Sequence, residues 1–277
     1  MNIFNGKNLA LSIKKQVAEE IKNLNLKLKL AVILIGNNPA SEVYVNNKKK
    51  ACENVGIEFE LIRFNMDCTQ TEVVKCVRQL NKNSSITGII LQLPIPRHLS
   101  EEEIIESIHP SKDVDCLTTH NFGKLAKGKS NFAPCTASAV LEILKQNQIT
   151  LKGKNVAVIG RSNLVGKPTQ ILLTNHNATV TLCHSKTQNL HKITKTADIL
   201  VVAIGLPKMI DRRYIKKHAV VIDVGINQVG GKLVGDVNFN NVKKKASLIT
   251  PVPGGVGQIT VAMLIKNLLE LGKIKKM

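Results

Sequence analysis

Tyr44 and Lys48 stand four positions apart in SEVYVNNKKK, a spacing that on a helix puts both side chains on one face. A tyrosine there offers a ring for stacking and a hydroxyl. A lysine offers three donors and a proton whose affinity the surroundings can tune. Lys49 and Lys50 follow, and cationic neighbours together with partial burial favour a neutral amine. The same residues also fit a helix with a solvated lysine run and one core tyrosine. Gln92 follows an apolar stretch and precedes LPIP, whose two prolines stiffen the segment. It is either an amide at a strand's C-terminal end or a surface loop residue. Asp115, in PSKDVDC, reads by itself first as a turn residue.

A second chemistry is written in NVAVIGRSNLVGKP, residues 155–168. An apolar strand runs into Gly160, and Gly166 follows near the start of a helix. Glycines at these places let the backbone turn tightly and approach a pyrophosphate at a helix N-terminus. The usual dinucleotide fingerprint has three glycines; here Ser162 takes the place of the middle one, and a purely structural strand-to-helix turn also fits. The end of the next strand adds information. A site for NAD carries Asp or Glu there to hold the ribose 2′-hydroxyl, whereas TVTLC is followed by His184, Ser185, Lys186 and Thr187. With Arg161 in the loop, the pattern predicts a 2′-phosphate pocket and hence NADP. Further on, VVIDVGIN places Gly225 and Ile226 just beyond another buried strand.

Strands alternating with helices must position these groups. Helical spacing marks residues 10–24, 41–55, 136–146 and 261–271, the second stopped by Gly56. Apolar strands are expected at 28–35, 60–64, 86–91, 156–159, 179–183, 199–203, 220–223 and 247–250. Thr69 with Glu72, and Ser100 with Glu103, have the spacing of capping boxes. This alternation predicts an α/β protein of two domains with parallel sheets, the C-terminal one Rossmann-like. The expected division is 1–137 for an N-terminal catalytic domain and 138–257 for the NADP-binding domain.

Composition narrows the classes. Of the 277 residues 43% are hydrophobic, enough for a sizeable core. No apolar run approaches the roughly 20 residues of a membrane span, and the N-terminus lacks a secretory pattern; a cytoplasmic protein is expected. The six cysteines are scattered singly, without CxxC or HExxH spacing, so they read as reduced, small buried side chains, with no metal site and no disulfide framework. The formal charge of +19 comes from lysine spread along the whole chain, with six arginines, two tyrosines and no tryptophan. Base stacking and arginine readout are poorly supplied, which argues against nucleic acid as a partner.

Taken in order, GNNPASEVYVNNKKKACENVGI, GIILQLPIP, KDVD, PCT, GRSNLVGKP, ATVTLCHSKT, ADILVVAIG, VIDVGIN and TPVPGGVG resemble the bifunctional methylenetetrahydrofolate dehydrogenase/methenyltetrahydrofolate cyclohydrolase family over essentially the whole chain. The resemblance implies that Lys48 is the catalytic lysine with Gln92 beside it, and that Tyr44 stacks on the folate's aminobenzoyl ring. It implies that Asp115 binds the pterin, and that Gly254 and Gly255 belong to a glycine-rich loop at the substrate. Gly160, Arg161, Ser162, Ser185 and Ile226 are similar to the family's NADP contacts. A homodimer through the cofactor domain is implied, as is a C-terminal helix, 258–277, returning to the first domain. The chain departs from the family pattern at Cys116 (for glycine), Ala137 and Ala139 (for proline and glycine), Asn238 (for aspartate) and Gln258 (for proline).

The implied chemistry is oxidation of 5,10-methylenetetrahydrofolate with NADP+, then hydrolysis of the methenyl product to 10-formyltetrahydrofolate. Hydride departure is driven by the neighbouring nitrogen lone pair and needs mainly positioning. Hydrolysis needs proton handling, where Lys48 and Gln92 belong. The nearest alternative is a dehydrogenase without the second activity, and the lysine–glutamine pair argues against it.

Overall fold

The computed structural model describes residues 2–276. Strand β1 (Asn2–Ile3) and helix α1 (Gly6–Asn23) open the chain, followed by β2 (Lys29–Ile35), α2 (Pro39–Glu53), β3 (Glu58–Phe64), α3 (Gln70–Lys82) and β4 (Gly88–Leu91). Three helices come next: α4 (Glu101–Glu106), α5 (Thr119–Ala126) and α6 (Cys135–Gln146). The second series runs β5 (Asn155–Ile159), α7 (Gly166–Asn175), β6 (Thr179–Cys183), α8 (Leu190–Thr194), β7 (Ile199–Val202) and β8 (Val220–Asp223). The hairpin β9 (Asn227–Val229) and β10 (Lys232–Val234), then α9 (Phe239–Val242), β11 (Leu248–Ile249) and α10 (Val256–Lys276), complete it.

The chain forms two compact units. One comprises Ser12–Ala133 with the residues from Val261 on; the other comprises the residues up to Leu11 with Pro134–Thr260. The sequence places the first eleven residues with the first domain, and the structure places them with the second. The reason is β1, which pairs in parallel with β11, Asn2 opposite Leu248 and Ile3 opposite Ile249. Two residues carry no periodicity, so only the partner strand defines them.

In the first unit β2 lies between β3 and β4, all parallel. A central parallel strand is covered on both faces, which accounts for five consecutive residues, Leu30 to Leu34, at 0% exposure. Helix α3 starts from the Thr69–Glu72 capping box, with both reciprocal bonds formed, and lays Val73, Val77 and Leu80 on the sheet. Ser100 caps α4 by accepting from the Glu103 N–H, one half of the expected box. The last turns of α10 are fastened here: Asn267 Nδ2 donates to Val114 O (3.0 Å) and to Ala133 O (2.9 Å). No helix of the described residues is long and apolar enough to cross a membrane.

The second unit has a six-stranded sheet in the order β1-β11-β8-β7-β5-β6, parallel throughout. Counted from β5, the strands follow the doubly wound order 2-1-3-4-5, and the chain reverses direction of winding between β5 and β7. In such sheets that switch point opens a crevice at the strands' C-terminal ends. The near-continuous apolar strands Val156–Ile159, Ile199–Val202 and Val220–Ile222 bury the rest.

Candidate active site

In the first unit the site begins at the end of β2. Gly36 turns the chain with φ +77°, and the Asn38 side chain accepts from the N–H groups of Ala40 and Ser41, capping α2 with Pro39 in its first turn. Capping of this kind stabilises a helix start by about 1 kcal/mol. The buried face of α2 carries Ser41, Val45, Ala51 and Cys52. Tyr44 and Lys48 stand beside that face, both half-buried. Burial raises the Tyr44 hydroxyl pKa above its ordinary value.

Gln92 follows β4, and its N–H donates to Ile33 O at 2.8 Å, locking it against the central strand. Its side chain is 7% exposed. The amide nitrogen donates to Leu93 O at 2.7 Å, which turns the amide oxygen toward Lys48; Lys48 Nζ donates to Gln92 Oε1 at 3.0 Å. The opposite amide orientation would set two donors, and two acceptors, against each other. Lys48 therefore has a fixed neutral acceptor rather than a carboxylate counter-ion. One turn further on, burial pushes the Cys52 thiol up to about 12, against the opposite pull of Lys48, so Cys52 is a packing thiol beside the amine.

An isolated parallel bridge between Ile89 and Asp113 sets the KDVD segment alongside β4, carrying Asp115 toward the strand end where Gln92 emerges. Asp115 is half-exposed, whereas Asp113 is buried. Asp113 accepts from Leu117 N (3.1 Å), Thr118 N (2.9 Å), Thr118 Oγ1 (2.8 Å) and Asn121 Nδ2 (3.0 Å). Burial raises its pKa and these donors pull it back. Asp113 thus shapes the loop that presents Asp115. Sequence reasoning missed it, since neither aspartate differs from the other in local pattern. Cys116, next in the chain, holds φ +58°; this left-handed backbone is natural for glycine and strained for cysteine.

In the second unit the strand ends around the switch point carry the loop 160–166. Gly160 has φ +118°, and a Cβ there would lie 2.1 Å from Ala203 O, beyond β7. A Cβ on Gly166 would lie 1.9 Å from Gly160 O. Both positions are closed to any side chain, so the loop hugs the sheet and leaves the crevice to a ligand. Helix α7 begins at Gly166, with no side-chain cap from Val165 before it and no acidic residue in its first turn. Lys167 N already donates to Ser162 O (3.1 Å) and Pro168 has no N–H, so it is Gly166 N that is left at the helix start to face an anion. Ser162 Oγ accepts from Val165 N at 3.1 Å, and Arg161 and Ser162 are exposed. Ile159 pairs with Cys183, so Arg161 and Ser185 leave adjoining strand ends. Ser185 is exposed in a turn closed by His184 N to Thr187 Oγ1 (2.9 Å) and Thr187 N to His184 O (2.9 Å). These features fit a dinucleotide with a 2′-phosphate: a glycine loop that lets the pyrophosphate approach the backbone at the start of α7, and a guanidinium with a hydroxyl in place of a ribose-binding acid.

A family model described as tetrahydrofolate dehydrogenase/cyclohydrolase, catalytic domain, matches residues 4–115, and its companion NAD(P)-binding domain matches residues 134–276. The chain belongs to the tetrahydrofolate dehydrogenase/cyclohydrolase family. It is 49% identical to a bifunctional protein FolD of Acetivibrio thermocellus, over 99% of this chain and 97% of that one. A solved bifunctional FolD from Campylobacter jejuni superposes with a TM-score of 0.96 at 43% identity, covering 99% of both chains. A FolD structure from Trypanosoma brucei, complexed with NADP and an inhibitor, gives 0.94 at 38% identity, covering 98% of this chain and 97% of that one.

The remaining positions of the family pattern fall as follows. Ile226 is exposed beyond β8. Gly254 has φ +104°, and Gly255 is packed so that a Cβ would lie 2.5 Å from Pro251 O. Asn238 caps α9, its side chain accepting from Asn241 N, which an aspartate would do equally well. Ala137 and Ala139 are fully buried in α6. Gln258 is exposed in the first turn of α10.

Proposed function

We propose that this chain oxidises 5,10-methylenetetrahydrofolate to the methenyl form with NADP+ and hydrolyses that product to 10-formyltetrahydrofolate. The observation that carries the second activity is the 3.0 Å bond from Lys48 Nζ to Gln92 Oε1. NADP+, when bound, takes up the hydride. Gly160, Arg161, Ser162, Ser185 and Ile226 hold it, and Gly254 and Gly255 belong to the substrate loop. Tyr44 supplies a ring for the aminobenzoyl group, and Asp115 accepts from the pterin's amino edge. For hydrolysis, water adds to the methenyl carbon, the bond to one ring nitrogen breaks, and one proton is released. Lys48 takes the proton from the attacking water and returns it to the departing nitrogen, with Gln92 aiming the amine. The same reading makes the protein a cytoplasmic homodimer; light scattering on the purified chain checks the dimer.

One assay tests the pair of activities: NADPH and methenyl absorbance followed together. Two activities give NADPH with little methenyl build-up, whereas a dehydrogenase alone gives equal amounts of both. Arg161→Ala is expected to weaken the preference for NADP+ over NAD+ by about 1.5–3 kcal/mol, the scale of a charge-assisted hydrogen bond. Ratios of kcat/KM for the two cofactors measure it, and equal efficiency with both in the unaltered protein would remove the 2′-phosphate pocket. Asp115→Asn keeps the shape but turns an acceptor into a donor facing the pterin amino group. Both activities are expected to fall in parallel, because both use the same bound folate; a change in one alone would assign Asp115 another role.

A further inference from the structure

Two carboxylates lie buried in the second unit, Asp223 at 3% and Asp236 at 0% exposure. Asp223 closes β8. Its Oδ1 accepts from Gly225 N (3.0 Å) and Asp236 N (3.0 Å), and its Oδ2 from Val237 N (2.9 Å). Asp236 Oδ2 accepts from Ile204 N (2.7 Å) and Gly205 N (3.0 Å), and Oδ1 from Asn227 Nδ2 (2.8 Å). Two glycines make the room. A Cβ on Gly225 would lie 2.2 Å from Asp236 Cγ, and one on Gly235 would lie 1.9 Å from Asp223 Oδ2. Burial pushes the Asp223 carboxyl up to about 7, against the pull of its backbone donors. Taking two carboxylates out of water is unfavourable even when both are hydrogen-bonded, so what they hold matters.

They hold the crevice. Ile204 and Gly205 leave β7, one wall of the switch point. Gly225 and Asn227 flank Ile226 on either side, so an exposed apolar side chain, 43% accessible, is fixed by polar bonds to its two neighbours. With Arg161 and Ser185 at the β5 and β6 ends taking the 2′-phosphate, the cofactor's other half falls toward β7 and β8.

We propose that Asp236, backed by Asp223, is a positioning residue for the cofactor: it sets the separation of the loops after β7 and β8 and so the seat of Ile226. This rests on the NADP reading above. Asp236→Asn leaves the Ile204 and Gly205 donors an amide oxygen but takes the charged acceptor from Asn227 Nδ2; the Asn227 amide must then face NH2 with NH2 or turn over and give up its bond to Val234 O.

The test uses the full chain without folate, measuring NADP+ Kd by titration calorimetry, with methenyl hydrolysis and a thermal melt on the same preparation. Asp236→Asn is expected to raise Kd by at least ~10-fold, the loss of one charge-assisted hydrogen bond, with hydrolysis within about 2-fold of the unaltered rate because that step uses no cofactor. Exchanging the pair, Asn227→Asp with Asp236→Asn, restores donor to acceptor and is expected to bring Kd back to within about 3-fold. Asn227→Ala, which removes a half-buried side chain and leaves Asp236 Oδ1 without its donor, decides the matter if Asp236→Asn does not fold; the melt should fall by a few degrees with the chain still folded, and Kd should rise. An unchanged Kd in whichever single variant folds would overturn the proposal, as would loss of hydrolysis in step with Kd and no recovery in the exchanged pair. If the unaltered chain bound no NADP+, the cofactor reading itself would fail, an outcome visible before any variant is made.

Discussion

Lys48→Met is expected to reduce methenyl hydrolysis by at least ~100-fold, the low end of what general acid–base catalysis contributes. The substitution keeps much of the stem's bulk and removes the nitrogen that Gln92 Oε1 holds at 3.0 Å. Hydride transfer needs no proton relay, so the dehydrogenase rate falls less and methenyl product accumulates. The two rates are measured on one preparation, with a thermal melt to establish the fold. Losing Lys48 strands the 7%-exposed Gln92 oxygen without its partner, which costs about 1–3 kcal/mol of stability, small beside a 100-fold split between activities. Equal losses in both rates would make Lys48 a substrate-positioning group, and an unchanged hydrolysis rate would leave it a surface lysine.

Gly160→Ala is expected to act on the other activity. At φ +118° a non-glycine residue is strained, and its Cβ would press on Ala203 O at 2.1 Å. Backbone strain and overpacking of this kind each cost about 1–3 kcal/mol. The neighbouring contact is backbone, so the loop must move, and it takes Arg161 and Ser162 with it. NADP+ binding should weaken by roughly 10-fold or more, the loss of one charge-assisted hydrogen bond from the displaced Arg161, while added methenyl substrate is still hydrolysed. Cofactor titration and the hydrolysis assay together read this out. An unchanged NADP+ Kd with an unchanged melting temperature would show that the crevice does not need glycine here.

Much of the architecture was legible in the chain itself because its signals are local. The apolar run 28–35 and the stretch ending at Gly160 are buried parallel strands, and such strands need an uninterrupted apolar sequence. The Thr69–Glu72 box is a contact within one turn, so its spacing alone predicts it. The i,i+4 spacing of Tyr44 and Lys48 puts them on one side of α2 for the same reason.

What tertiary structure alone decided are the contacts between distant positions. The meeting of Lys48 with Gln92 spans 44 residues and depends on β2 and β4 being neighbours; the family resemblance implied that partner, and no local pattern does. The two-residue strand β1 exists only because β11 offers it a ladder. Asp113 and Asp115 are alike in sequence, and burial alone makes one a structural acceptor of four donors and leaves the other half-exposed. Asp236 binds backbone 31 and 32 residues away. Its sequence neighbourhood, GDV, says nothing of this, because a buried carboxylate is defined by the donors that surround it, and those come from strands that only folding brings together.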